Sequence, residues 1–215
     1  MGDISGGGGR GGLIAFEGID GSGKSTQVKR LVGRLHSLGV SCYETREPTD
    51  SPIGALIHQM MTGRISGDDR VIASLFIADR LDHLLNETDG ILRMVENGIS
   101  VVTDRYYFSS YAYNSTNLDM DWVIHGNAIS AGILRPSVTV FLDVPVKIAL
   151  ERISRERFRA ELYETEERLG AVRAKYFEAF EKLEGIENTA VIDADADVRT
   201  VESRIWEAVS GHFAP

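Results

Sequence analysis

The segment Gly18-Ile19-Asp20-Gly21-Ser22-Gly23-Lys24-Ser25 constrains this chain more than any other. It has the spacing G-x-x-x-x-G-K-[ST], in which glycines let backbone N–H groups turn inward around phosphate oxygens. A short apolar run, residues 13–17, enters it, and an amphipathic stretch, residues 25–38, leaves it. Strand, loop and helix in that order place a helix N-terminus beside the full charge of Lys24. The Ser25 hydroxyl is then available to Mg²⁺. The loop residues Gly18, Asp20, Gly21, Ser22, Gly23, Lys24, Ser25 and Thr26 are therefore expected to bind the phosphates of a nucleotide.

The rest of the chain alternates between short apolar runs and longer amphipathic ones. Strands are predicted over 13–17, 42–46, 99–103, 138–142 and 190–192, each reading as covered on both faces. Helices are predicted over 25–38, 53–61, 69–86, 91–96, 122–131 and 198–209, with two more after Pro145. Gly39 is placed to end the first helix. This alternation predicts a doubly wound α/β fold with a parallel sheet. Its length of 215 residues suits one domain, over 13–215. Seven of the first twelve residues are glycine, so 1–12 reads as a flexible tail.

Several functional classes are excluded or disfavoured. A single cysteine, Cys42, rules out an internal disulfide, and no Cys/His cluster has zinc spacing. A net charge of −9 repels polyanions, which argues against nucleic-acid binding while leaving room for a local phosphate pocket. No apolar run is long enough to span a membrane, and the N-terminus has no signal-peptide core, so a cytoplasmic protein is expected. Among phosphate-loop proteins, a switch GTPase would carry an Asn-Lys-x-Asp or Thr-Lys-x-Asp motif, and none occurs. A motor ATPase would end a strand in Asp-Glu. Here the third strand leads to Asp104-Arg105, a pairing better suited to gripping a second phosphate than to activating water. A kinase acting on a small acceptor fits best.

The residues also resemble a known family. The run Phe16-Glu17-Gly18-Ile19-Asp20-Gly21-Ser22-Gly23-Lys24-Ser25-Thr26-Gln27 is similar to the opening of thymidylate kinases, as are Thr45-Arg46-Glu47-Pro48 and Leu75-Phe76-Ile77-Ala78-Asp79-Arg80. So are the segment from Asp104 to Tyr113, and Arg135-Pro136 leading to Phe141-Leu142-Asp143-Val144. An Arg-rich lid at about 146–165 follows, then Val172-Arg173 and Tyr176. The resemblance implies a five-stranded parallel sheet flanked by helices on both faces, with a mobile lid. It also implies a homodimer that phosphorylates thymidine monophosphate with ATP and Mg²⁺.

It further implies roles for individual residues. Arg46 and Arg105, at the ends of predicted strands, would hold the acceptor phosphate; planar guanidinium suits phosphate bidentately. Paired to Glu47 and Asp104 instead, they would be ordinary surface arginines. Asp104 would sit near Mg²⁺ with Ser25 or orient Arg105, and Asp20 would accept from the acceptor 3′-hydroxyl, where otherwise it would only cap the next helix. Phe76 and Arg80 lie four apart on one helical face, placed to stack on a base and donate to its edge, although Phe76 alone suits core packing as well. Ser109, Tyr113, Asn114 and Tyr163 would meet sugar and base. Arg152, Arg155 and Arg157, with Arg159, would supply the lid cation; read bare, the same run is a solvated charged helix. Two alternatives stay open: a kinase for another nucleotide or nucleoside, and a nucleotide-sensing protein without turnover.

Overall fold

The computed structural model describes residues 10–156 and 165–213. Five strands form one parallel sheet in the order β2-β3-β1-β4-β5. These are β1 (Leu13–Glu17), β2 (Cys42–Arg46), β3 (Ser100–Asp104), β4 (Val138–Asp143) and β5 (Thr189–Asp193). Uninterrupted apolar runs such as LIAFE and VTVFLD suit strands with both faces covered, and β1, β3 and β4 are buried almost throughout. The expectation of two covered faces fails for β2 and β5. These are the sheet edges, and Tyr43, Glu44 and Val191 reach solvent there.

The helices are α1 (Lys24–Ser37), α2 (Pro52–Met61), α3 (Asp69–Leu85), α4 (Ile91–Glu96) and α5 (Tyr107–Asn114). They continue with α6 (Met120–Ile133), α7 (Val146–Glu156), α8 (Glu166–Lys182) and α9 (Val198–Val209). Local chemistry starts most of them. The side chains of Ser51, Asp68, Asp119, Thr165 and Asp197 cap α2, α3, α6, α8 and α9. Gly39, with φ of 77°, turns the chain after α1. One group of helices, α1 with α9, packs together over the sheet; another, α5 with α6 and α8, forms a second layer. In that second layer Tyr107, Phe108, Tyr111, Phe141, Tyr176 and Phe180 stack at centroid distances of 4.8–6.1 Å, giving α5 a rigid seat.

Two further expectations need correction. Helix α5 is absent from the sequence-predicted elements. The tail is also shorter than 1–12, because Gly11 and Gly12 belong to the fold. Gly11 donates to the Val95 carbonyl at 2.8 Å, and Gly12 accepts from Val101 at 2.8 Å. A side chain at 11 would lie 2.3 Å from the Ile99 carbonyl oxygen, so only glycine fits this approach. The remainder of the expected tail lies outside the described residues.

Candidate active site

All five strands end in a charged residue, Glu17, Arg46, Asp104, Asp143 and Asp193, at the carboxyl edge of the sheet, where ligands of such folds bind. The loop from Gly18 to Gly23 rises from central β1. Gly21 has φ of 77°, and a Cβ there would lie 2.4 Å from the Ala149 carbonyl oxygen, so the loop needs glycine for both conformation and room. Lys24 is buried with its ammonium donating to the carbonyls of Gly18 and Ile19 at 3.1 and 3.0 Å. Burial, and then the charge of Arg105, bring its pKa down to about 8 against the pull of Asp104, Asp20 and Glu17. It still carries its charge near neutrality.

The donor cleft on this loop is lined by residues 20–27, Arg46, Glu47, Asp104, Arg105, Arg152 and, opposite, Ala194 to Val201. Within it, Ser25 Oγ donates to Asp104 Oδ2 at 2.6 Å, while Asp104 Oδ1 is buried with no hydrogen-bond partner among the described residues. No group of three or more His, Cys, Asp or Glu side chains converges among the described residues. A hydroxyl beside one carboxylate with a spare oxygen nevertheless fits Mg²⁺, which takes few protein ligands and completes its shell with phosphate and water.

Arg105 is the residue at which the site turns. Its φ is 75°, a left-handed conformation costing a non-glycine residue about 1–3 kcal/mol unless its surroundings impose it. That turn sends the guanidinium to Asp20 at 2.5 Å, Ser109 Oγ at 3.0 Å and the Gly18 carbonyl at 3.3 Å. Tyr113 donates to the other oxygen of Asp20 at 2.9 Å. Burial alone would raise the Asp20 carboxyl, but Arg105, Lys24 and Tyr113 together hold it below the usual range. Asp20 does not cap α1, whose cap position is Gly23 and carries no side-chain bond.

A second cleft of about 810 Å³, including its open mouth, lies on the far side of Arg105. Its walls contain Phe76 of α3, Ser109, Ser110, Tyr113 and Asn114 of α5, and Asp20 of the loop. Phe76 is half-buried and stands outside the main apolar core, with its ring on the cleft. The amide nitrogen of Asn114 is buried without a hydrogen-bond partner among the described residues. The two clefts share Asp20 and Arg105.

Other expected residues lie elsewhere. Arg80 does not line the second cleft. It is 1% exposed behind the wall, where a buried guanidinium needs a carboxylate, and Glu47 supplies it at 2.7 Å. Arg80 also donates to Ser110, Asn127 and the Tyr106 carbonyl. Arg46 lines the donor cleft in an exposed pair with Asp50 at 2.8 Å, and Glu47 is not its partner. Arg152 reaches the Ser22 carbonyl at 3.4 Å and the Ala194 carbonyl at 3.1 Å, so it belongs to the donor side. Arg157, Arg159 and Tyr163 lie outside the described residues, as does the side chain of Arg155. Sequence reading missed Pro48, Met61, Asp69, Ile72, Asn117 and Arg168 as wall residues of the second cleft. No local pattern marks them, because five separate segments bring them together.

An ATPase that activates water needs one cleft. A second cleft meeting the first at a shared arginine and carboxylate defines a phosphate-loop kinase, built to move a phosphoryl group between two bound molecules. Comparison with known proteins narrows the class. The family model for thymidylate kinase matches residues 16–205. A probable thymidylate kinase of Thermococcus kodakarensis is 35% identical, covering 90% of this chain and 94% of its own. The thymidylate kinase of Afipia carboxidovorans is 33% identical, over 96% and 92% respectively. A solved structure of thymidylate kinase from Candida albicans shares the fold with a TM-score of 0.75 at 24% identity, covering 95% of this chain and 93% of that one. The chain belongs to the thymidylate kinase family.

Proposed function

We propose that this enzyme transfers the γ-phosphoryl group of ATP to thymidine monophosphate, giving ADP and thymidine diphosphate on the way to dTTP. The observation that carries the reading is the junction at Asp20 and Arg105, where the lysine-bearing donor cleft meets the second cleft. The attacking group is already a phosphate oxygen anion, so no general base is required. Catalysis is positioning and charge neutralisation.

On the donor side, Gly18, Gly21, Ser22, Gly23 and Thr26 enclose the phosphates, Lys24 meets the β- and γ-phosphates, and Arg152 flanks the nucleotide. Ser25 and Asp104 would hold Mg²⁺, which when bound would supply charge neutralisation at the phosphates. Arg105 grips the acceptor phosphate with Arg46, once Arg46 exchanges Asp50 for it; an exposed ion pair contributes only about 0–1 kcal/mol, so that exchange is cheap. Asp20 accepts from the sugar hydroxyl. Phe76 stacks on the base, and Ser109, Tyr113 and Asn114 line its other sides, while Arg80 keeps Ser110 in the wall. Arg155 and Arg157 are assigned to the transferred phosphoryl group and Tyr163 to the sugar on the family resemblance alone.

We also propose that the enzyme works in the cytoplasm as a homodimer. No helix among the described residues is long and apolar enough to cross a membrane. Trp122 and Ile129, seven residues apart on α6, leave apolar surface for a second copy. A coupled assay of ADP release over a panel of nucleotides and nucleosides tests the acceptor assignment. Fastest turnover is expected with thymidine monophosphate. A clear preference for another acceptor, or no ADP release with any, overturns it.

A further inference from the structure

Glu17, the last residue of β1, is fully buried and lines neither cleft. A carboxylate in that position is costly unless every lone pair is used. Its Oε1 accepts from the backbone N–H of Tyr106 at 2.8 Å and of Ser109 at 3.1 Å. Its Oε2 accepts from Ser109 Oγ at 2.6 Å and from the Tyr176 hydroxyl at 2.9 Å. Three of these four donors surround Arg105.

Helix α5 has Tyr106 at its cap position and no side-chain cap of its own. The N–H of Ser109 is the donor that a Ser or Asp at the cap position would satisfy. Glu17 takes that place from another strand. The peptide groups flanking the left-handed Arg105 are also all committed: its N–H to the Phe16 carbonyl at 2.8 Å, its carbonyl to Thr103 Oγ1 at 2.9 Å, and the next N–H to Glu17. The Ser109 hydroxyl donates to Glu17 while accepting from Arg105 Nη1 at 3.0 Å. Backbone and guanidinium are thus held from the same carboxylate.

We propose that Glu17 is the positioning residue for Arg105, fixing both its strained backbone and its guanidinium so that it can read the acceptor phosphate. This rests on the assignment of Arg105 to that phosphate. Tyr176 extends the arrangement to α8, whose first turn brings Arg168 to the acceptor cleft.

The test compares affinity for thymidine monophosphate with affinity for thymidine, by calorimetry on the full chain. The ratio isolates recognition of the phosphate. In Glu17→Gln one carboxylate oxygen becomes an amide that faces donors, and the ratio should fall roughly tenfold or more while thymidine affinity stays unchanged. Arg105→Ala should lower the ratio further, and the double variant should be no lower than Arg105→Ala alone. A merely structural role would weaken both ligands equally. If Glu17→Gln does not fold, Tyr176→Phe removes one donor from the same carboxylate and should lower the ratio about threefold. An unchanged ratio in the folded Glu17 or Tyr176 variant, or multiplicative losses in the double variant, overturns the proposal. An unchanged ratio in Arg105→Ala instead overturns the phosphate assignment beneath it.

Discussion

Lys24 holds its ammonium against two loop carbonyls, a partnership that stands in for the phosphate oxygens the loop is shaped to receive. Lys24→Ala should therefore lower kcat at least a hundredfold, the scale of a lost transition-state cation, with little change in melting temperature. Retention of more than about a tenth of the wild-type kcat contradicts the donor assignment. Phe76 gives a second test at this scale. Stacking contributes roughly 1–3 kcal/mol per base, so Phe76→Ala should raise the KM for the acceptor about tenfold to a hundredfold and leave that for ATP nearly constant. Its ring stands outside the main core, so the melting temperature should drop far less than the roughly 3–5 kcal/mol cost of a core phenylalanine implies. A variant that melts early and keeps its acceptor KM makes Phe76 a packing residue.

Among the elements, those that declare themselves locally were legible. Helices 91–96 and 198–209 were predicted to the residue, and β1 and β2 likewise, because the apolar spacing that marks them lies within each segment. Helix α5 was not legible. Its sequence YFSSYAYN is rich in weak helix formers, and what starts it is a carboxylate 89 residues away. The phosphate loop was readable as a motif, whereas the burial of Arg80 was not. Position four after Phe76 places both on one helical face, but only the Glu47 carboxylate, arriving from β2's loop, decides where the guanidinium goes. Helix α7 carries its own prediction. Arg152 bridges carbonyls on two sides of the donor cleft, so Arg152→Ala should act mainly on the ATP KM, by about tenfold. At least one of Arg155→Ala, Arg157→Ala and Arg159→Ala should instead lower kcat about a hundredfold. Normal turnover in all four overturns the assignment of a transition-state cation to these arginines.

At the scale of the whole molecule, the N-terminal boundary of the fold is open to measurement. A chain beginning at Leu13 loses the bonds from Gly11 and Gly12 to Val95, Val101 and Ser100, where one beginning at Arg10 keeps them. At about 0.5–1.5 kcal/mol for each of the three bonds, the shorter chain should melt roughly 3–18 °C lower. Equal melting temperatures would show that these glycines rest on the sheet without supporting it.

The strand order β2-β3-β1-β4-β5 has a consequence for how the protein is made. Domains are synthesised from the N-terminus at about 5–20 residues per second, and β1 leaves the ribosome first. Its two neighbours are β3 and β4, so one side stays bare until Ser100–Asp104 emerges and the other until Val138–Asp143 does. The phosphate loop is encoded near the start, yet it has no sheet to stand on until some two-thirds of the chain exists. During that interval LIAFE is an apolar strand with an open edge, the kind of segment that pairs with the wrong partner. Nascent chains halted before Val138 are accordingly expected to aggregate and to bind no nucleotide, since β1 then lacks the partner on its β4 side.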